Sequence, residues 1–183
     1  SMRAALRRVG LTPEPVTSPD GSETAERVVL PGVGAFGAGM KRLDDMGMRG
    51  PVRARIEAGR PMLAVCLGLQ MLCDESTESP GVTGLGVLPV TVKRFEVAEI
   101  VPQLGWNKVA AAEGCKLLRD GYAYYANSYC LREVPEGWSG AHTHHGEPFV
   151  AAVERGAVLA TQFHPELSGA WGHELMERWG PAC

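Results

Sequence analysis

The run Pro61-Met62-Leu63-Ala64-Val65-Cys66-Leu67-Gly68 constrains this chain more than any other segment. Its apolar first half reads as a buried strand, and the strand runs without a spacer into Cys66 and then into a helix from Leu67 to about Cys73. Ala64 and Gly68, two positions either side of the cysteine, are small enough to let the chain turn sharply there. The glycines of G-x-S-x-G hydrolases serve the same geometry. Such a turn projects the sulfur outward and aims free helix N–H groups at it, which favours thiolate. A free thiol titrates near ~8.5, so that help matters at neutral pH. Taken by itself, the segment also fits a buried structural cysteine.

The same strand-to-helix order appears upstream. Arg27–Leu30 reads as a short buried strand ending in the loop Pro31-Gly32-Val33-Gly34. Helices follow over about Ala35–Met46 and Pro51–Ala58, with Gly47 and Gly59 as stops. Before them, Met2, Ala5, Leu6 and Val9 at i, i+3, i+4 and i+7 predict an amphipathic helix closed by Gly10, then a Pro-rich connection. The alternation argues for parallel β-α units. In the later half Val87–Phe95, Ile100–Val109 and Tyr122–Leu131 read as strands broken by Pro and Gly. Phe149–Val153 and Ala157–Phe163 flank Glu154-Arg155-Gly156 as a hairpin, and a last amphipathic helix runs from about Ser168 to Trp179. No repeat, low-complexity segment or long linker interrupts residues 1–183. The expectation is one α/β domain, a mostly parallel sheet with added antiparallel strands.

Composition removes several function classes. A chain of 183 residues, 45% hydrophobic, can bury a sizeable core. Its 18 basic and 21 acidic residues give a net charge of -3 with no basic cluster, so nucleic acid is not an expected partner. The densest apolar stretch, Pro61–Leu72, is interrupted by Gly68 and Gln70 and falls short of the ~18 residues of a membrane span. No signal peptide is recognisable. The five cysteines, at 66, 73, 115, 130 and 183, are odd in number and lack a C-x-x-C pair. They fit a reduced cytoplasm better than a disulfide framework or a zinc site. Neither a metal nor a cofactor is expected.

If Cys66 is a nucleophile it needs a base and an orienting acid. Gln162-Phe163-His164-Pro165-Glu166 offers both. His164 follows an apolar strand, and in parallel sheets active sites gather at the carboxyl ends of strands. Glu166, held two residues on by Pro165, can fix the imidazole tautomer. For an oxyanion site, Leu67 N–H is one natural donor, and Val33 or Gly34 in the glycine-rich loop can supply the second.

Two other patterns compete. Gly32-x-Gly34-x-x-Gly37 matches a dinucleotide fingerprint, which would make the chain an NAD-linked oxidoreductase. The acidic residue at the required spacing, Glu57, lies in a helical pattern rather than at a strand end, and Pro31 is unusual before the first glycine. His142-x-His144-His145 could suggest metal, but no carboxylate or cysteine accompanies it at ligand spacing, and a polar loop is expected there. His173 reads as a surface residue of the last helix.

The residues together resemble a known family. The segments Leu30-Pro31-Gly32-Val33-Gly34-Ala35-Phe36-Gly37, Val65-Cys66-Leu67-Gly68-Leu69-Gln70 and Gly81-Val82-Thr83-Gly84-Leu85-Gly86 carry the likeness, with Gly105-Trp106-Asn107, Asn127-Ser128-Tyr129 and Gln162-Phe163-His164-Pro165-Glu166. The chain resembles class I glutamine amidotransferases, and within them the glutaminase subunits of imidazole glycerol phosphate synthases. The resemblance implies a three-layer, flavodoxin-like fold. It implies that Cys66 forms a glutamyl thioester with L-glutamine, with His164 protonating the leaving ammonia and then activating water, and Glu166 orienting His164. Val33 and Leu67 would lie near the oxyanion, and Gln70, Ser128 and Tyr129 would line the glutamine pocket. Ammonia would pass to a (β/α)8-barrel cyclase subunit that makes imidazole glycerol phosphate and AICAR. Ala64, Asn127 and Leu167 stand where this family usually has Gly, His and Lys. The family's opening strand and its Asp-Tyr-Gly-x-Gly-Asn loop are absent from this sequence. A catalytically impaired homologue that only binds the partner is the alternative, and measuring glutamate release with and without a cyclase subunit separates the two.

Overall fold

Met62 and Ala64 pack into one hydrophobic core while Leu63 and Val65 pack into another, and all four are buried. Alternate side chains of a strand point to opposite faces, so this strand must lie in a sheet covered on both sides. The computed structural model describes residues 2–180, and Ser1 and residues 181–183, Cys183 among them, lie outside it. The chain runs through α1 (Met2–Arg8) and α2 (Pro19–Thr24) into β1 (Val28–Gly32), then through α3 (Phe36–Asp45) and α4 (Arg49–Glu57) to β2 (Met62–Cys66). α5 (Leu67–Met71) follows without a break, and then β3 (Cys73–Ser76) and β4 (Leu88–Arg94). Next come β5 (Gln103–Ala111), β6 (Gly121–Asn127), β7 (Tyr129–Cys130), β8 (Ser139–His145), β9 (Glu147–Arg155) and β10 (Val158–Thr161). A 3-10 turn, Pro165–Leu167, and α6 (Gly169–Trp179) end the described chain.

The larger sheet has the order β1-β2-β10-β9-β8-β5-β6. β1, β2 and β10 are parallel, with Gly32 opposite Cys66 and Thr161 opposite Val65. That register brings the carboxyl ends of three strands together at the cysteine. From β10 outward every ladder is antiparallel. The reason is connection length: β9 and β10 are joined by Gly156 and Ala157 and β8 and β9 by Gly146, too short for a crossover, whereas β1 reaches β2 through two helices. α3, α4 and α5 cover one face through Phe36, Met40, Val52, Ile56 and Leu67. α1, with Val9 just beyond it, and α6 cover the other through Ala5, Leu6, Leu175, Met176 and Trp179. The result is the expected three-layer α/β arrangement, with β1 as an edge strand of the large sheet.

Several elements differ from expectation. The Pro-rich connection contains α2, and the Arg55 guanidinium pins its end by donating to the carbonyls of Ser22, Ala25 and Glu26, and to Pro61 beyond it. The helix after Cys66 stops at Met71, and Cys73-Asp74-Glu75-Ser76 becomes a strand paired with β4, against its weak strand propensity. Tyr122–Leu131 is divided into β6 and β7 around Ser128. His142, His144 and His145 are not in a polar loop. They lie on β8, where pairing with β5 and β9 outweighs the low propensity of a segment rich in Gly and His. Alternation leaves His142 and His144 exposed and buries Thr143 between them.

Candidate active site

Cys66 has φ 55° and ψ -110°, and among the described residues it is the one non-glycine with positive φ. Such a backbone costs ~1–3 kcal/mol and persists only where the surroundings enforce it. The enforcement is local close packing. A Cβ on Gly68 would stand 2.2 Å from the Leu30 carbonyl oxygen, and one on Gly32 would stand 2.6 Å from Leu67 Cβ. β1 therefore presses directly on the turn. At the position of Ala64 the space is ordinary: its Cβ would lie 3.6 Å from a Cβ on Gly68, which explains why Ala is tolerated there.

His164 reaches the cysteine from the end of β10. Its N–H donates to the Tyr124 carbonyl at 2.9 Å, and Ser168 Oγ donates to its own carbonyl at 2.6 Å while accepting from Tyr124 N. These bonds, made by the backbone N–H and C=O of His164, fix its main chain to β6 and to the start of α6. Its Nδ1 lies 3.0 Å from Glu166 Oε1. Hydrogen bonding to the Cys66 sulfur, then to the Glu166 carboxylate, outweighs burial and raises the His164 pKa to about 10. The imidazole is therefore charged at neutral pH, beside the cysteine sulfur. Because this pKa is raised, its stabilisation is complete below the ordinary value near ~6.5 and is lost as pH rises through about 10. Burial pushes the thiols of Cys73 and the half-buried Cys115 upward and that of Cys130 up to about 12, as expected of unreactive cysteines.

Cys66 and His164 open into a pocket of about 260 Å³, below the usual span for drug-sized ligands and suited to one amino acid. Val33, Gly34, Leu67, Gln70, Ser128 and Tyr129 line it, so these expected residues come together, with Glu166 behind His164. Sequence reasoning missed Glu78 and Ala126 in this wall and did not give Asn127 a place in it. Glu78 and Ser79 had no signal beyond polarity. In the fold Glu78 Oε2 accepts from Phe36 N at 2.7 Å and Ser79 Oγ from Gly37 N at 3.0 Å. These contacts occupy the helix N-terminus where a dinucleotide pyrophosphate would have to sit, and Glu57 ends α4 rather than a strand. The oxidoreductase alternative loses its phosphate site. A larger depression, about 600 Å³ beside Arg49 and Arg53, contains no cysteine or histidine, and those arginines already pair with Asp44 and Glu57. Among the described residues no cluster of three or more His, Cys, Asp or Glu could hold a metal ion, and no helix is long and apolar enough to cross a membrane. His173 pairs with Glu177 on the exposed side of α6.

A strained cysteine, a charged histidine and an orienting carboxylate at the carboxyl ends of neighbouring strands are equipped for thiol-dependent acyl transfer. The chain belongs to the class-I glutamine amidotransferase family, whose family model matches residues 3–179. It is 40% identical over 182 residues to the imidazole glycerol phosphate synthase subunit HisH of Methanothermobacter thermautotrophicus, covering 98% of this chain and 90% of that one. The subunit HisH of Deinococcus radiodurans is also 40% identical, with 96% and 85% covered. The chloroplastic imidazole glycerol phosphate synthase hisHF of Arabidopsis thaliana is 38% identical over 98% of this chain, which spans only 31% of that protein. A crystal structure of a glutamine amidotransferase superposes with TM-score 0.76 at 26% identity, covering 98% of this chain and 92% of that chain. PurLQS from Thermotoga maritima shares the fold, at TM-score 0.72 and 16% identity, with 96% and 88% covered.

Proposed function

We propose that this chain is a glutaminase that hydrolyses L-glutamine to glutamate and ammonia and supplies the ammonia to a cyclase making imidazole glycerol phosphate and AICAR. The observation that carries the reading is the convergence of Cys66, His164 and the Val33–Gly34 loop on one amino-acid-sized pocket. The thiolate of Cys66 attacks the side-chain amide carbon. The oxyanion is received by Leu67 N–H and by Val33 or Gly34 N–H, each donor being worth ~2.7–4 kcal/mol in the transition state. Protonated His164 gives its proton to the departing ammonia, leaving a glutamyl thioester. His164, now neutral, takes a proton from water, whose oxygen attacks the thioester and releases glutamate and the thiol.

The pocket wall suits the rest of glutamine. Gln70 Nε2 already donates to the Tyr129 carbonyl and to Gln162 Oε1, both at 3.0 Å, so Gln70 can offer the ligand only its acceptor oxygen. That oxygen and the Glu78 carboxylate fit the substrate ammonium, and Ser128 and Tyr129 complete the far wall.

The partner's docking face is the exposed side of β5 and β6. Leu104, Trp106 and Tyr122 are 67%, 58% and 62% exposed there, an apolar patch of the kind that marks interfaces. Trp106 packs edge-on against Tyr124, whose carbonyl holds His164, so the patch adjoins the base. The relatives named as a synthase subunit HisH, and the much longer relative named hisHF, support a second synthase subunit as the occupant, and the family resemblance makes it a (β/α)8-barrel cyclase. The free thiols of Cys66, Cys73, Cys115 and Cys130 support a cytoplasmic enzyme, and we read residues 1–183 as one domain.

Mixing the chain with such a cyclase and its nucleotide ligand, then measuring glutamate, tests the reading. Glutamate release with stoichiometric synthase product is expected, and none under any condition favours the impaired homologue. Trp106→Ala is expected to weaken the complex about 30-fold or more, the scale of an aromatic hot spot, in a binding titration; unchanged affinity would move the interface elsewhere. Within the triad, His164→Ala is expected to lower glutamate release by ~10²–10⁴. Glu166→Gln should be milder: Glu166 Oε2 has no partner among the described residues, so an amide can turn its oxygen toward Nδ1. Equal, complete losses would contradict that ranking.

A further inference from the structure

Gln162 is fully buried, directly after β10, with its backbone N–H held by the Ala151 carbonyl at 2.8 Å. Burying an amide is costly unless it is hydrogen-bonded, and an apolar side chain would fill the site at lower cost. Its orientation follows from its neighbours. The Tyr129 carbonyl can only accept, so the Gln70 atom 3.0 Å from it is the Nε2 amide nitrogen. That nitrogen also lies 3.0 Å from Gln162, which must present Oε1 to receive it. Gln162 Nε2 is thereby turned to the Cys66 sulfur, 3.7 Å away. The Ala126 carbonyl also lies near the sulfur, at 4.0 Å, able only to accept from a neutral S–H. The two neighbours favour opposite protonation states, and the nearer one is the donor. α5 has only five residues, so its dipole is short and the amide is well placed to supply what it lacks.

We propose that Gln162 is a positioning residue for the nucleophile, its amide donating to Cys66 Sγ in an orientation imposed through Gln70 by the Tyr129 carbonyl. This rests on the reading of Cys66 as the nucleophile of a glutaminase and adds a donor to the thiolate that lies outside the triad. The same relay links Tyr129 and Gln70 in the pocket wall to the sulfur.

Gln162→Glu keeps an acceptor for Gln70 and removes the donor to sulfur, whereas Gln162→Met removes both. Iodoacetamide alkylation of Cys66 is followed by peptide mass spectrometry across pH, with thermal unfolding as the check on folding. Gln162→Met is expected to alkylate about tenfold more slowly at neutral pH, the factor a charge-assisted hydrogen bond of ~1.5 kcal/mol supplies, and Gln162→Glu more slowly still. The pH midpoint should move upward, further for Glu than for Met. A merely structural role would change the unfolding midpoint and leave this pH profile in place. In the unaltered protein the Gln162 side-chain amide signal in nitrogen-15 NMR should titrate with the alkylation midpoint, which keeps the test valid if a variant misfolds. Folded variants with the parent pH profile, or an amide signal that ignores the thiol, would overturn the proposal. Neither measurement needs glutamine turnover, so a parent that alkylates as expected but releases no glutamate refutes the glutaminase reading alone.

Discussion

Cys66→Ala is expected to abolish glutamine-dependent synthesis, by a factor on the order of 10⁴ or more, and to leave ammonia-dependent synthesis by the cyclase at the parent rate. The thiol is needed only to free ammonia, so ammonium salts bypass it. The variant should still fold, because Cys66 sits where the second core meets the pocket, Ala is the small apolar residue nearest to it in size, and Ala occupies the strained backbone no worse than Cys. Glutamate release, product formation with glutamine and product formation with ammonium salts are measured side by side. Cys115→Ser is the control, since Cys115 lies away from the pocket. Glutamate release by Cys66→Ala at the parent rate would remove the nucleophile assignment. Loss of the ammonia-dependent reaction as well would mean that the substitution had disturbed docking.

What the sequence disclosed was local. The abrupt change from Met62–Val65 to Leu67–Gly68 demanded a buried strand meeting a helix, and the strain at Cys66 follows from it. His164 and Glu166 were legible because Pro165 ties two chemically complementary groups at a fixed spacing. The antiparallel half was less legible. β3 and β8 have weak intrinsic strand preference and exist because β4, β5 and β9 offer them unpaired edges, a demand set by residues far away in sequence. Glu78 and Gln162 were missed as site residues for the same reason. Glu78 acquires meaning only when α3 points its first N–H groups at it, and Gln162 only when Gln70 and Cys66 meet on its two ends.

Partner control should produce the second large effect. A glutaminase working alone would release ammonia into water, where it is protonated and lost to the synthase. The Pro31–Gly34 loop is built to prevent this. Gly32 is clamped against Leu67 and Gly68, and the N–H groups of Phe36 and Gly37 are held by Glu78 and Ser79, so both ends are fixed. Between them Val33 is 86% exposed, and Gly34, at φ 97°, has open space around its missing side chain. The middle peptide is free to rotate, and glycine makes both orientations accessible. With a carbonyl toward the nascent oxyanion the transition state is repelled; with an N–H there it gains ~2.7–4 kcal/mol, about 10²–10³ in rate. The isolated chain should therefore hydrolyse glutamine slowly and accelerate by about that factor when the cyclase and its nucleotide ligand bind at the adjoining β5–β6 face. Gly34→Pro forbids the observed φ and removes one candidate donor, so it should abolish the acceleration without disturbing the thermal unfolding midpoint. Gly34→Ala, which keeps the N–H but resists positive φ, should fall between. A high basal rate that the partner leaves unchanged would remove the loop from control and mark the chain as a free-standing glutaminase.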